Sequence, residues 1–481
     1  MDMSSRSFGL CDCDNFFVSC ERRCDPSLNS RPVAVLSGND GCVVSRSDEV
    51  KAMGVPMGAP YFKVRAQLER AGAVVLSGRL SLYNEISSQV MERVSRFSDL
   101  TEVYSIDEAF FNLAIASVGD PEKYCRLLRK DIMKNCGVPV SIGISGTKTL
   151  AKLASKQAKK SESGVFWLKP EHYSSGAWMG AVGLSDVWGI GRRTAERLNI
   201  YHRILNAYDF ASADDLFLKK NFSAHALYTA WELRGRSVYP LSNAARAPKS
   251  IQVSRSFGCD VFSYKELLEA VSYFTLCATR QLRRARSLAS RMEVFVTTSP
   301  FKKDNFYAHS EEREFPSPRS LDCDFLHAAR EMLPSVYKEG HAYKKAGVLL
   351  SALSGAGCGV QSFLFGEKSE SGAPNERLRA AAGVTDTINR EFGRVVIAPA
   401  DNFGTAGGRW HPLKEHCADN FAAGARRPCT AAEAPATPIH ARRSPALSPP
   451  KSKSSDIPSG GPIFPPNFVS GTPSHSAPVP S

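Results

Sequence analysis

The sequence predicts an α+β protein built on a ferredoxin-like sheet, and three observations carry the prediction. Between residues 8 and 160 the pattern runs strand, helix, two strands, helix, strand, with a β-rich piece inserted after the first helix. The 481 residues, 43% hydrophobic and 23% charged, suffice for three or four domains with separate cores. After about Arg426 the composition turns to Pro, Ser, Ala and Gly, so the folded part is expected to end there.

Each element has a local reason. Residues 8–11 read as a short buried strand and 15–24 as the start of a helix. Residues 31–36 and 42–45 are β-rich and joined by GNDG, whose Asp40-Gly41 is a hairpin-turn signal that needs no phosphate cradle to explain it. Residues 80–97 are helical in pattern, YSIDEAFFNL (104–113) follows as a hairpin region, and a further helix includes 124–136. The alternating strand VPVSIGIS (138–145) leads directly into the lysine-rich helix TKTLAKLASKQAKK (147–160).

A second region begins near Trp188, where VWGIGRRTAERL sets Gly189 and Gly191 before a helix carrying Arg192 and Arg193. It is similar to one half of a helix-hairpin-helix, whose glycines let backbone amides approach a DNA phosphate, although a tight helix connection has the same look. The second half departs: Tyr201, His202, Arg203 and Ile204 stand where a Gly-Ile would be expected. In a third region, from near Pro248, Ile251, Val253 and Arg255 alternate with Gln252, Ser254 and Ser256, and residues 291–297 alternate again. Between them Leu267, Val271, Phe274, Ala278 and Leu282 form one helical apolar stripe. Arg280, Arg283, Arg284, Arg286 and Arg291 follow with no acid among them, more than a helix dipole needs, so a phosphate-tracking surface is expected. Residues 428–481 hold 13 of the 29 prolines and are expected to form a disordered tail.

The net charge of +13 points to a polyanionic partner, nucleic acid or an anionic membrane surface. No run approaches the ~18 apolar residues of a membrane span, and residues 1–10 contain no signal-peptide core, so a cytoplasmic protein is expected. Thirteen cysteines without a CxxC pair fit a reduced compartment; Cys11, Cys13, Cys20 and Cys24 cluster, but at no usual zinc spacing, and read as core.

The apolar run at 104–113 carries adjacent acids, Asp107 and Glu108. Alternation in a strand would turn one of them toward the core, where a lone charge is costly. Two solvated acids at a hairpin turn are one explanation; a metal site is the other, and it needs a third ligand. In a ferredoxin-like sheet the first strand lies beside the central hairpin, and here that strand ends in Asp12. Three carboxylates at one sheet edge would suit Mg²⁺, and two such ions ~3.5 to 4 Å apart activate an attacking hydroxyl and stabilise a leaving phosphate.

DCDNFFVSCE (12–21) and YSIDEAF (104–110) resemble the two metal-site motifs of the Y-family of translesion DNA polymerases. SGNDGCVVSR, KTLAKLA, DVWGIGRR, SRSFG, TSPF and YKKAG recur in order, and the chain from about Phe8 to about Gly404 is similar to the UmuC branch of that family. The resemblance implies that Asp12 and Asp107 bind both of two Mg²⁺ ions, that Glu108 serves the catalytic metal and that the Cys13 backbone carbonyl completes the other. It implies that Phe17 lies under the sugar of the incoming nucleotide and excludes a 2′-hydroxyl, with Phe16 in the core beside it. Lys159, or alternatively Lys156, would meet the triphosphate. Many members grip the phosphates with a Tyr and an Arg, where this chain has Asp48 and Lys51; Lys51 and the nearby Arg46 would do part of that work. VQSFLFG resembles a clamp-docking peptide through Gln361, Leu364 and Phe365.

The resemblance implies a right hand: palm at 1–30 and 79–170, fingers at 31–78, thumb at 171–245, an α/β little finger at 246–358, the clamp peptide and an extension at 359–426, and the tail at 427–481. It implies low-fidelity, template-directed DNA synthesis within the SOS response to damage. Expected DNA contacts are Gly189, Gly191, Arg192, Arg193, Arg255, Arg283, Arg284 and Arg286. Expected partners are damaged primer-template DNA, a dNTP, the sliding clamp, a UmuD-type accessory dimer and a RecA filament, with no membrane. A nucleotidyl cyclase, which also places acids on such a sheet, and a non-catalytic DNA-binding scaffold are the alternatives.

Overall fold

The computed structural model of the chain describes residues 6–114, 119–174, 176–242, 248–301, 306–355, 376–392, 396–397, 410–411 and 415–417. It begins with β1 (Arg6–Cys13) and α1 (Phe16–Cys24), then an insertion of β2 (Val33–Leu36), β3 (Val43–Arg46), α2 (Asp48–Ala52), α3 (Tyr61–Arg70) and β4 (Val74–Ser77). The chain returns with α4 (Leu80–Arg96), β5 (Thr101–Val103), β6 (Glu108–Ala114), α5 (Pro121–Cys136), β7 (Val140–Ser145), α6 (Lys148–Ala158) and β8 (Val165–Trp167).

The principal sheet has the order β5-β6-β1-β7-β8. Its first four strands reproduce the expected ferredoxin-like arrangement. β8, parallel to β7, is an addition too short to stand out in the sequence. One apolar core joins Val140, Ile142 and Ile144 of β7 to Leu128 and Ile132 of α5 and to Tyr83, Ile86, Val90 and Val94 of α4. Cys11, Cys13 and Cys20 are buried in the same core, and burial pushes their thiols up, so they behave as apolar filler. α6 rests on β7 at Gly143, where a Cβ would lie 2.1 Å from the Ser155 amide nitrogen. That close approach brings the lysines of α6 over the sheet edge.

The insertion forms its own sheet, β3-β2-β4, around Ala34, Leu36, Val43, Val50, Leu68 and Val75. β2 and β3 make the hairpin the Asp-Gly turn foretold, with Asp40 at φ 46°; β4, parallel to β2, was not foreseen. Beyond β8 come α7 (Pro170–Ser174), α8 (Ala177–Gly180), α9 (Arg192–His202), α10 (Ala207–Ser212), α11 (Asp215–Asn221) and α12 (Ala224–Leu233), packed around Leu198, Phe210, Leu218 and Leu227. Leu150 and Leu153 of α6 enter that core, and buried Glu232 accepts from the Thr149 and Val238 amides at 3.0 and 2.6 Å. The helical thumb is thus tied to the helix that carries the site lysines.

The last folded unit is β9 (Ile251–Val261), α13 (Tyr264–Arg284), β10 (Ser287–Thr298), β11 (Ala308–Arg319), α14 (Asp322–Val336) and β12 (Tyr343–Gly355), with sheet order β11-β10-β12-β9. The expected stripe of Leu267, Val271, Phe274, Ala278 and Leu282 is fully buried against Met292, Val294, Phe325 and Val348. α15 (Glu376–Glu391) follows, and Trp410 is buried beside Tyr273 and Phe274. No helix among the described residues is long and apolar enough to cross a membrane.

Candidate active site

Asp12 is the penultimate residue of β1 and pairs directly with Glu108, the first residue of β6. Directly opposed residues of an antiparallel pair project from the same face, so register alone brings two acids together. Asp107 precedes β6 in a tight turn, where the amides of Tyr104 and Ser105 donate to the Glu108 carbonyl at 3.0 and 3.1 Å. The Cys13 amide donates to the Asp107 carbonyl at 2.9 Å, pinning the turn to the end of β1. Alternation breaks at this turn, which is how neighbouring acids come to share a cleft. Asp12, Cys13, Phe16, Phe17, Arg46, Lys51, Asp107, Glu108 and Lys159 all line it, and its volume is about 370 Å³.

The three carboxylates face one cleft but do not close on one point: among the described residues no three His, Cys, Asp or Glu side chains are gathered as a metal cage. Each takes its own donor, which disperses three mutually repelling charges. Lys159 donates to Asp12 Oδ1 at 2.8 Å, Ser105 Oγ to Asp107 Oδ1 at 2.5 Å, and Lys152 to Glu108 at 2.9 and 3.1 Å. The Asp12 carboxyl is pushed up to about 6, chiefly by burial; Lys159 opposes the rise, and Glu108 and Asp107 add to it. A half-buried Asp12 carboxylate that strains to hold its charge, beside two further hard oxygen donors, is the chemistry that a divalent cation relieves.

Of the neighbouring expectations, Phe16 is core at 4% exposure, and Phe17 is half-buried at the cleft wall, stacked on Tyr83 with ring centroids 4.4 Å apart. Lys159 reaches the acids, whereas Lys156 turns away to Asp186 at 3.0 Å. Lys51 pairs with Asp48 at 2.9 Å, and the Arg46 guanidinium donates to the Val55 carbonyl. Lys152 was missed as a site residue. The spacing of Lys148, Lys152 and Lys156 by fours, with Lys159 one turn on, marks one helix face and could have found it.

In the thumb, Gly189 takes φ 86° and Gly191 caps α9, with Arg192 and Arg193 exposed on the first turn. The helix ends at Arg203 in the left-handed region, without a second glycine turn. Two expectations for the third region are corrected. Arg283 does not belong to an unpaired basic surface: it bridges Asp386 of α15 at 2.7 Å and Asp322 of α14 at 2.8 Å, and Arg280 also meets Asp386, at 3.3 Å. Arg291 pairs with Glu312 at 3.2 Å. The counter-charges come from distant elements, so a search among sequence neighbours could not see them. Arg284 and Arg286 remain exposed, and Arg255 is exposed at the edge of β9, close enough to Tyr273 and Cys277 to act on their ionisation. Gln361, Leu364 and Phe365 lie outside the described residues.

Residues 11–156 match the impB/mucB/samB family, and residues 248–362 match the C-terminal domain of that family. The chain is 35% identical over 392 residues to Protein UmuC of Salmonella typhimurium, covering 80% of this chain and 91% of that protein. It is 37% identical over 365 residues to Protein ImpB of Salmonella typhimurium, covering 75% and 86%. A DNA polymerase IV of Treponema denticola is 31% identical over 265 residues, covering 54% and 65%. Among solved structures, a Y-family DNA polymerase chimera of Dbh and Dpo4 shares the fold with TM-score 0.59 at 21% identity, covering 73% of this chain and 99% of that one. These relatives do not favour the cyclase or scaffold alternatives. The chain belongs to the impB/mucB/samB family with its UmuC-type members, has the fold of a Y-family polymerase, and is a DNA-directed DNA polymerase of the error-prone translesion type.

Proposed function

We propose that the cleft at the β1 and β6 ends carries two-metal nucleotidyl transfer, with Asp12, Asp107, Glu108 and the Cys13 carbonyl as the groups that hold two Mg²⁺ ions. When bound, the ions would lower the pKa of the primer 3′-hydroxyl and neutralise charge on the triphosphate. The 3′-oxygen forms a bond to the α-phosphorus of the dNTP, the bond from that phosphorus to the bridging oxygen breaks, pyrophosphate leaves, and the hydroxyl proton passes to solvent. Lys159 holds triphosphate charge once Asp12 is engaged elsewhere, with Lys51 and Arg46 lining the same cleft. Phe17 lies under the deoxyribose. Gly189, Gly191, Arg192, Arg193, Arg255, Arg284 and Arg286 meet phosphates of damaged primer-template DNA. The segment with Gln361, Leu364 and Phe365 docks on a sliding clamp, and a UmuD-type dimer and a RecA filament complete the assembly.

The observation that supports this reading most is the register of Asp12 against Glu108, with Asp107 in the adjoining turn and Lys159 and Phe17 on the same cleft. Asp107→Ala should lower Mg²⁺-dependent primer extension at least about 10²-fold, the scale for losing an electrostatic stabiliser of the transition state. Binding to the primed template, read by fluorescence anisotropy, should persist. Extension at the unmodified rate would remove Asp107 from the chemistry.

A further inference from the structure

Glu21 closes the motif DCDNFFVSCE, yet nothing in the polymerase reaction uses it. It is a carboxylate at 1% exposure on α1, one helical turn after Phe17 and on the same face. Facing it are Arg79, at the start of α4, and Tyr83, one turn further on. The two i,i+4 pairs interlock. Tyr83 donates its hydroxyl to Glu21 Oε1 at 2.6 Å, Arg79 Nε donates to the same oxygen at 3.0 Å, and the second Arg79 nitrogen donates to Oε2. The Tyr83 ring, fully buried, lies flat against Phe17 with centroids 4.4 Å apart and planes 15° apart. Phe17 is therefore trapped between the cleft on one side and a tyrosine on the other that cannot tilt without leaving a buried carboxylate short of a donor.

We propose that Tyr83, held by Glu21 and Arg79, is a positioning residue that sets the height and plane of the Phe17 ring, and so sets how sharply the polymerase discriminates deoxyribonucleotides from ribonucleotides. This rests on the reading of Phe17 as the residue beneath the sugar. The physical case is that a barrier to one hydroxyl group works only if the ring cannot recede. Phe17 alone, at a cleft wall, has room to swing; stacked on an immobile ring, it does not. Loosening that backing lets the ring drop away from the sugar, which relieves the clash with a 2′-hydroxyl while leaving the carboxylates and lysines in place. A mere packing role makes a different prediction, because damage to the palm core would slow both nucleotide types together.

The test measures kcat/KM for a matched dNTP and the matched rNTP on one primed template for the full chain and for Phe17→Ala, Tyr83→Phe, Tyr83→Leu and Glu21→Gln. Tyr83→Phe keeps the ring and loses the charge-assisted hydrogen bond, so the dNTP preference should fall about three- to tenfold, carried by a rise in rNTP insertion. Tyr83→Leu removes the backing ring and should relax selection further. Glu21→Gln keeps an acceptor for the tyrosine and should retain more selectivity than Tyr83→Phe. Should Tyr83→Leu melt below the assay temperature, the Phe and Gln variants decide the matter. Lost selectivity in Phe17→Ala with wild-type selectivity in both Tyr83 variants would overturn the positioning role alone, as would equal loss of dNTP and rNTP insertion. Unchanged selection in Phe17→Ala would show that the ring is not beneath the sugar, and both readings would fall.

Discussion

Two charged clusters in this molecule use the same opposite charges to different ends. At the edge of the five-stranded sheet, Asp12 is met by one ammonium, from Lys159, and Glu108 by another, from Lys152. Where α13, α14 and α15 meet, a single guanidinium, Arg283, spans Asp322 and Asp386. Burial alone does not separate the two: Lys159 is more open, but Lys152 and Glu108 are as covered as Arg283 and its acids, all near a fifth exposed or less. What separates them is the shape of the cation and the space beside it. A lysine is a point charge on a flexible stem at the wall of an open cleft, so its carboxylate can pass to another cation. A planar fork that fastens three elements has no such alternative, and removing it takes the cation from Asp322 and leaves Asp386 with the longer contact to Arg280 alone.

The largest effect should come from the strain in the first cluster. Because the Asp12 carboxyl titrates near 6 in the fold against an ordinary 3.8, the folded protein binds a proton that the unfolded chain has released. The stability from that proton is fully present below about pH 4 and is lost as pH rises through about 6. Asp12→Asn, neutral throughout, should therefore match the parent near pH 4 and exceed it by about 2 to 3 kcal/mol above pH 6, in chelator, by urea denaturation. An offset independent of pH would mean that Lys159 already balances the charge. Added Mg²⁺ should stabilise the parent and not the variant.

The second cluster should show an effect of about the same size. Arg283→Ala should cost about 2 to 3 kcal/mol, below the range for a fully buried pair because the partners keep some solvent contact. Denaturant midpoints at low and high salt should shift alike. Arg283→Lys should recover only part, since one ammonium cannot span both acids. Unchanged stability with weaker DNA binding would restore Arg283 to the phosphate-tracking surface and erase the contrast between the clusters.

How far all this could be read from the sequence depended on whether the partners lay in one local pattern. The ferredoxin-like order was legible because β1, α1, β6, α5 and β7 each announce themselves by period and by turn chemistry. Three-residue β8 lacked the length to do so, and four-residue β4, no shorter than β2 and β3, lacked the Asp-Gly turn that marks those two. Asp107 and Glu108 stood out as charges inside an apolar run, and Asp12 followed from strand adjacency. Lys152 was hidden among its lysine neighbours, although helical spacing contains it. The Arg283 bridge was illegible in principle, since Asp386 is 103 residues away and nothing local pairs the two. Glu21 looked like the end of a motif; only the packing of α1 on α4 shows what it holds.

The smallest effect is the most discriminating between the clusters' neighbours. Arg284 and Arg286 sit beside Arg283 in sequence but remain exposed at the end of α13. An exposed arginine that contacts phosphate contributes by releasing a counterion, so each of Arg284→Gln and Arg286→Gln should lessen the slope of log affinity against log salt by about 0.9. Affinity at one salt concentration would change only a few-fold, and thermal stability hardly at all. Arg283→Lys should leave the slope as it was while lowering the melting temperature. A titration of all three variants across 50 to 200 mM salt, roughly the range over which such slopes are resolved, therefore separates adjacent residues of one sequence run by mechanism. Equal slopes for all three would mean that the end of α13 does not touch DNA, and that the third domain reaches the phosphates through Arg255 and the strand edge instead.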